Sequence, residues 1–269
     1  MKKIPNSTLL IMLLIVLVAI VSIFIFFTPS QSDKLLDVIQ NGLTYLNSQI
    51  NPEIGLLREA PIAAPNKYWL TNDNSLAAYT FEQFGHTNTR KLIVQSINKY
   101  GSFENNFIEV VMGNQVSMPP FTADAILVKK IGEVEIWTEK HETGAQFEDW
   151  QEYANLSFLM TLNLELQDSH DIARQQILTT MKMFDGVGFR DKAFNGTYET
   201  YKMALAIYSA HKANVKLQDG DKILEILLKM QDKNGGFHTH YDENLNPMGD
   251  TNTETTSFSL LALRVLVYR

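Results

Sequence analysis

Asp73, then Asp149 and Glu152, then Glu199, then Glu254 each stand where a stretch with helical apolar spacing begins. Each has aromatic or amide company: Tyr68, Trp69 and Asn72 beside the first, Trp150 and Tyr153 beside the second, Tyr201 beside the third and Asn252 beside the last. Carboxyls facing one another over a cleft walled by aromatic rings are what glycoside cleavage uses. One is held neutral as the acid, the other stays ionised as base or nucleophile, and the rings stack on sugar faces. Asp73 and Glu152 are the pair expected to act, with Asp149, Glu199 and Glu254 as further catalytic candidates. Trp69, Tyr68, Trp150, Tyr153, Tyr201, Asn72 and Arg190 are expected to hold the ligand. The same acids have a structural use, because an acidic residue at a helix start caps free N–H groups and complements the helix dipole. For any one of them taken alone, that use is the more common.

Bringing such acids together requires inner helices whose starts gather on one face. Apolar spacing at i, i+3, i+4 and i+7 predicts helices near Asp33 to Gln49, Asn74 to Phe84, Thr89 to Tyr100, Asp149 to Leu166, Asp171 to Phe184, Tyr198 to Lys212, Asp219 to Gln231 and Thr253 to Tyr268. Gly85, Gly101, Gly186 and Gly235 supply stop signals. The helices opening at Asn74, Asp149, Tyr198 and Thr253 are apolar on several faces, as buried helices are, and the other four are amphipathic. From Phe103 to Ala145 the pattern is least helical. Met118-Pro119-Pro120 and the β-branched runs Ile108 to Val111 and Ile131 to Ile136 predict a short β or loop insertion there.

One passage recurs: an apolar helix, a glycine turn carrying a large apolar residue, then a polar-headed helix. It is clearest from Leu227 through Gly235-Gly236-Phe237, is repeated at Met181 to Arg190, and is weaker at Tyr45 to Asn74. A period of about 40 to 55 residues made of two helices is the mark of stacked or ring-closed helical hairpins. Gln231-x-x-x-Gly235-Gly236-Phe237 after an apolar helix resembles the glutamine-and-tryptophan repeat of terpenoid cyclases, with Phe237 in place of tryptophan. The hairpin layout is similar to the α/α-toroid superfamily, in which those cyclases, the protein prenyltransferases and the six-hairpin glycosidases fall. The fold expected is therefore all-α, an α/α toroid forming a partial barrel of about four hairpins. The chain departs from that resemblance in lacking the clustered aspartates of a triterpene cyclase and the cysteine of a prenyltransferase zinc set. No catalytic residue carries over from it.

The first residues add a different expectation. Leu9 to Phe27 carries no charge, and at about 1.5 Å per residue it matches a bilayer core of about 30 Å. Lys2 and Lys3 precede it, so the positive-inside rule predicts a cytoplasmic tail at 1–8, a transmembrane signal-anchor at 9–27, a linker at 28–33 and an extracytoplasmic domain at 34–269. The net charge of −7 and the absence of basic runs argue against nucleic-acid partners. With no cysteine there are no disulfides, thiolate zinc sites or thiol nucleophile. No cofactor or metal is expected, and His238, His240 and Asp242 read as a polar loop. Three functions follow: a glycoside hydrolase or polysaccharide lyase acting on a glycan, a non-catalytic glycan- or protein-binding scaffold, or an isoprenoid-binding domain like the cyclases.

Overall fold

The computed structural model describes residues 31–101, 105–122, 124–140 and 146–268. Contacts divide the chain into two units, Met1–Asp37 and Val38–Arg269, and the description that follows concerns the second. The helices fall near the predicted positions. They are α1 (Gln31–Gln49), α2 (Ser75–Gln83), α3 (Thr87–Tyr100), α4 (Asn106–Met112), α5 (Ala154–Leu166), α6 (His170–Thr180), α7 (Thr200–Lys212), α8 (Gly220–Lys229) and α9 (Thr253–Val267). Helices α2, α9, α7 and α5 pack in that succession, while α3, α6 and α8 lie against α2, α5 and α7. Burial follows from composition. Helix α5 buries Leu156, Phe158, Leu159, Leu162 and Leu164 on all sides, whereas α8 buries only the stripe Ile223, Leu224, Ile226 and Leu227.

The all-α toroid is overturned, because eight strands make three sheets among the described residues. After α1 and α8 the chain reverses tightly, and short extended runs lead from there, and into α7, toward the next inner helix. Those runs are too short to show alternation in sequence, yet their N–H and C=O groups need partners, and neighbouring extended segments supply them. β1 (Ile50–Asn51) pairs with β2 (Leu56–Leu57), and β6 (Tyr198–Glu199) pairs with β7 (Phe237–Tyr241), which pairs with β8 (Pro247–Asn252). The insertion is more structured than a loop. β4 (Asp124–Ile131) and β5 (Val134–Lys140) form a hairpin turning at Gly132, and β5 joins β3 (Lys67–Trp69) in parallel, with Trp137 beside Trp69. Ile108 to Val111, a β-branched run, is helical instead. The Asn105 side chain caps that helix by accepting from Phe107 N at 3.0 Å and Ile108 N at 3.3 Å, and α4 buries Ile108, Val110 and Val111.

The membrane expectation is corrected as well. No helix among the described residues is long and apolar enough to cross a membrane, which contradicts a single-pass anchored protein. The span expected at Leu9 to Phe27 lies outside the described residues.

The recurrent glycine turn has a specific job. Gln231 Nε2 donates to Val38 O and to Gly235 O, both at 2.9 Å, tying the turn after α8 to helix α1. Gly235 has φ +90°, and a side-chain carbon on it would collide with the Asn41 carbonyl. Gly85, at φ +80°, faces open space. Gly235→Ala is therefore expected to cost about 2 kcal/mol or more, combining strain with collision, while Gly85→Ala costs about 1 kcal/mol of strain alone. Urea unfolding of the two variants measures the difference, and equal costs would contradict the close approach.

Candidate functional site

Asp73, Glu199 and Glu254 come together with two acids that the helix-start argument did not select, Glu59 and Glu139. Their side chains act on one another electrostatically around the starts of α2, α7 and α9. Asp73 ends an irregular turn, Leu70–Asn74, in which Asn72 takes φ 58° and ψ −87°. That left-handed backbone is uncommon for a residue with a side chain. It is held by Asn105 Nδ2, which donates to Asn72 Oδ1 at 2.7 Å and to Glu139 Oε2 at 2.9 Å. Glu139 is set by its strand: its N–H donates to Thr71 Oγ1 at 2.8 Å. Glu59 follows the first turn. Its carbonyl accepts from Thr253 N at 3.0 Å, and its carboxylate accepts from Trp69 Nε1 at 2.9 Å. The start of α9 is thus fixed from two sides, since Asn252 Oδ1 also accepts from Thr255 N at 2.8 Å.

Burial dominates the electrostatics. Asp73 is 3% exposed, and its Oδ2 has no hydrogen-bond partner. Desolvation pushes its proton affinity well above the ordinary carboxyl range, and Glu254, Glu59 and Glu139 push in the same direction against Lys67. Glu254 is raised to about 8, first by burial and then by Glu139, Glu59 and Glu199. It is surrounded by protein yet only half-buried, so it borders space that solvent can enter. Glu199 lies 2.6 Å from Lys202 Nζ, and the same ammonium lies 2.6 Å from Asp191. Burial, Glu199 and Glu254 also hold the Tyr201 hydroxyl protonated far above its ordinary range, and its ring lies 6.1 Å from that of Phe258. Half-buried Trp69 and Trp137 stand 5.9 Å apart, tilted by 42°, and Lys67 Nζ sits over both rings at 4.5 and 5.4 Å.

The remaining candidates lie in other surroundings. Glu152 is exposed and lies 3.3 Å from Lys192, which also pairs with Asp149 and holds that carboxyl below its ordinary range. Neither acts on Asp73 or Glu254 as the site acids do. A short 3-10 turn, Trp150–Glu152, precedes α5, and the start of α5 is occupied by Asp191, whose Oδ2 accepts from Ala154 N at 2.8 Å. Trp150 packs on Phe121 at 5.4 Å and Tyr153 on Phe147 at 5.7 Å. Tyr68 is buried, with its hydroxyl accepting from Asn51 at 3.1 Å. Arg190 is tied to Asp185 and Glu243, both at 3.0 Å, and to the Tyr198 hydroxyl at 2.8 Å. His238 Nδ1 lies 3.0 Å from Gly249 O, and His240 Nδ1 lies 2.9 Å from Thr239 Oγ1. No three or more His, Asp or Glu side chains among the described residues are placed to hold a metal ion.

Glu139 and Trp137 had a signal of their own. In Val134-Glu135-Ile136-Trp137-Thr138-Glu139 the polar and aromatic residues alternate with Ile136 and Thr138, both fully buried, so Trp137 and Glu139 share the less buried face. Glu59 had only its place after a turn. Comparison with protein-family models, with curated proteins and with solved structures finds no match.

Between pH 4.5 and about 8 the folded chain keeps the Glu254 proton that an unfolded chain releases. Stability attached to that proton is complete below pH 4.5 and is lost as pH rises toward 8. Glu139, Glu59, Glu199, Asp73 and Tyr201 face it, so the loss is shared with Asp73. Urea midpoints at pH 5 and pH 8 are expected to separate for the wild type and to converge in the Asp73→Asn/Glu254→Gln double variant. Equal separations in both would contradict a buried protonated pair.

Proposed function

We propose that this cluster of acids cleaves glycosidic bonds by hydrolysis, with Glu254 as proton donor and Glu199 as its ion-paired partner. The observation that carries the reading is the placement of one carboxyl raised to about 8 beside another that is ion-paired to Lys202. A carboxyl held protonated by burial next to one paired with a cation divides the roles of acid and base. Glu254 delivers its proton to the glycosidic oxygen as the C–O bond breaks, and the positive charge that develops at the anomeric carbon faces Glu199. That carboxylate either attacks the carbon or takes a proton from the attacking water. A separation of about 5 to 5.5 Å serves the first route and about 6.5 to 9.5 Å the second. Trp69 and Trp137 offer faces for sugar stacking. A cluster of carboxyls suits an isoprenoid poorly, because hydrocarbon would desolvate them without supplying hydrogen bonds.

The test is release of reducing ends from a panel of oligosaccharides. Glu254→Gln is expected to lower kcat/KM by about 10² to 10⁴-fold, with a comparable loss for Glu199→Gln. Glu254→Gln should keep the wild-type melting temperature at pH 5, while Glu199→Gln, which leaves the buried Lys202 with Asp191 alone, is expected to lower it. The basic limb of the kcat/KM profile is expected near pH 8, where Glu254 loses its proton. Turnover that survives in Glu254→Gln removes Glu254 from the role of acid, and a wild type inert to every sugar defeats the reading and leaves a binding domain.

A further inference from the structure

A second place in the fold stands apart from the acids at the helix starts and does not depend on the glycosidase reading. Helices α4, α5 and α7 meet near their C-terminal ends and leave a pocket of about 120 Å³ between them. Helix α7 runs for 13 residues at about 1.5 Å each, so Lys212 at its end lies roughly 20 Å from the acids at its start.

The walls are largely hydrocarbon, supplied by Val110, Val111, Leu162 and Leu166. An apolar cavity of about 150 Å³ takes benzene, so this pocket has room for roughly four or five carbon atoms. The Tyr208 hydroxyl, on the same lining, is already used, because it donates to Val111 O at 3.1 Å.

Glu165 and Lys212 complete the lining, and their unmet needs are of opposite kind. Glu165 Oε2 lies 2.7 Å from His170 Nδ1, whereas Oε1 is buried with no hydrogen-bond partner. Such an acceptor is costly to leave unpaired, and a donor is what it lacks. Lys212 is exposed, pairs with no carboxylate among the described residues, Glu165 included, and stands 5.4 Å from the Tyr208 ring. Desolvation and then Arg264 lower its proton affinity, so this ammonium is pressed by a cation and has no anion to offset it. The helix ends add partial negative charge around the pocket, which favours placing a guest's cation beside Glu165 and its anion outward on Lys212.

A guest that meets all of these demands carries an ammonium, a carboxylate and a short hydrocarbon branch. We infer that the pocket binds a free amino acid with an aliphatic side chain, leucine or valine, its ammonium on Glu165, its carboxylate on Lys212 and its side chain against Val110, Val111, Leu162 and Leu166.

Titration calorimetry on the full-length chain compares leucine with isopentylamine, which lacks the carboxylate, and with 4-methylpentanoate, which lacks the ammonium. Leucine is expected to bind saturably, and each analogue about tenfold or more weakly. Glu165→Gln and Lys212→Met should each weaken leucine by a similar factor. Lys212→Met alters an exposed side chain, so it tests the site even if Glu165→Gln disturbs the packing beside His170. Glu254→Gln, at the far ends of the helices, should leave leucine affinity unchanged. The inference is overturned by leucine binding wild type and Lys212→Met alike, by either analogue binding as tightly as leucine, or by affinity that falls in Glu254→Gln. Neither heat nor a rise in melting temperature at about 10 mM leucine overturns it as well.

Discussion

Four helices of this chain have no polar face to offer water, and the rest of the structure is arranged around that constraint. Helix α9 buries Thr253, every residue from Thr255 to Leu263, and Val265. The hydroxyls inside such helices are satisfied locally: Ser257 donates to Thr253 O at 2.8 Å, Ser259 to Thr255 O at 2.7 Å and Thr161 to Ser157 O at 3.0 Å. Charge can therefore enter the interior mainly where helices begin, at free N–H groups. The gathering of acids at helix starts is a consequence of helices that are apolar along their length. Asp73 is strained electrostatically because burial and three neighbouring acids outweigh Lys67, the cation that acts on it.

Lys202 is the exception along a helix wall. It is buried inside α7 and is tolerated because Asp191, whose side chain is wholly buried, sits against it on one side and Glu199 on the other. Asp191 in turn accepts from Ala154 N at the start of α5, so one ion pair joins the entrances of two helices. Such pairs are poor sources of net stability, since desolvation offsets their attraction. What this one contributes is position: it fixes where Glu199 can stand relative to the other acids.

Helix positions were legible in the sequence because thirteen or fifteen residues with a 3.6 period repeat the same signal several times. The pairs Ile50–Asn51, Leu56–Leu57 and Tyr198–Glu199 were not, because two residues carry no period. For the site, the rule that acids gather at buried helix starts reached Asp73, Glu199 and Glu254. It also selected Asp149 and Glu152, which stand beyond a 3-10 turn while Asp191, from a distant part of the sequence, fills the place at α5. Glu139 lies on a strand and Glu59 on a bend after β2, and only tertiary pairing brings them to α9 and α2. A local pattern describes the address of a residue on its own element and says little about which elements will meet.

The parallel pairing of β3 with β5 has a consequence for how this site can change. The hairpin β4–β5 is joined to the site through Lys67–Trp69 and Thr71, and its far end turns at Gly132 with open space around it. It works as an exchangeable cassette: residues added or removed in pairs at the outer turn would alter its reach without shifting the register that presents Trp137 and Glu139. The helices set the permanent floor, and the hairpin is the part of the wall that a lineage, or a designer, can re-cut for a new guest while leaving the folding core untouched.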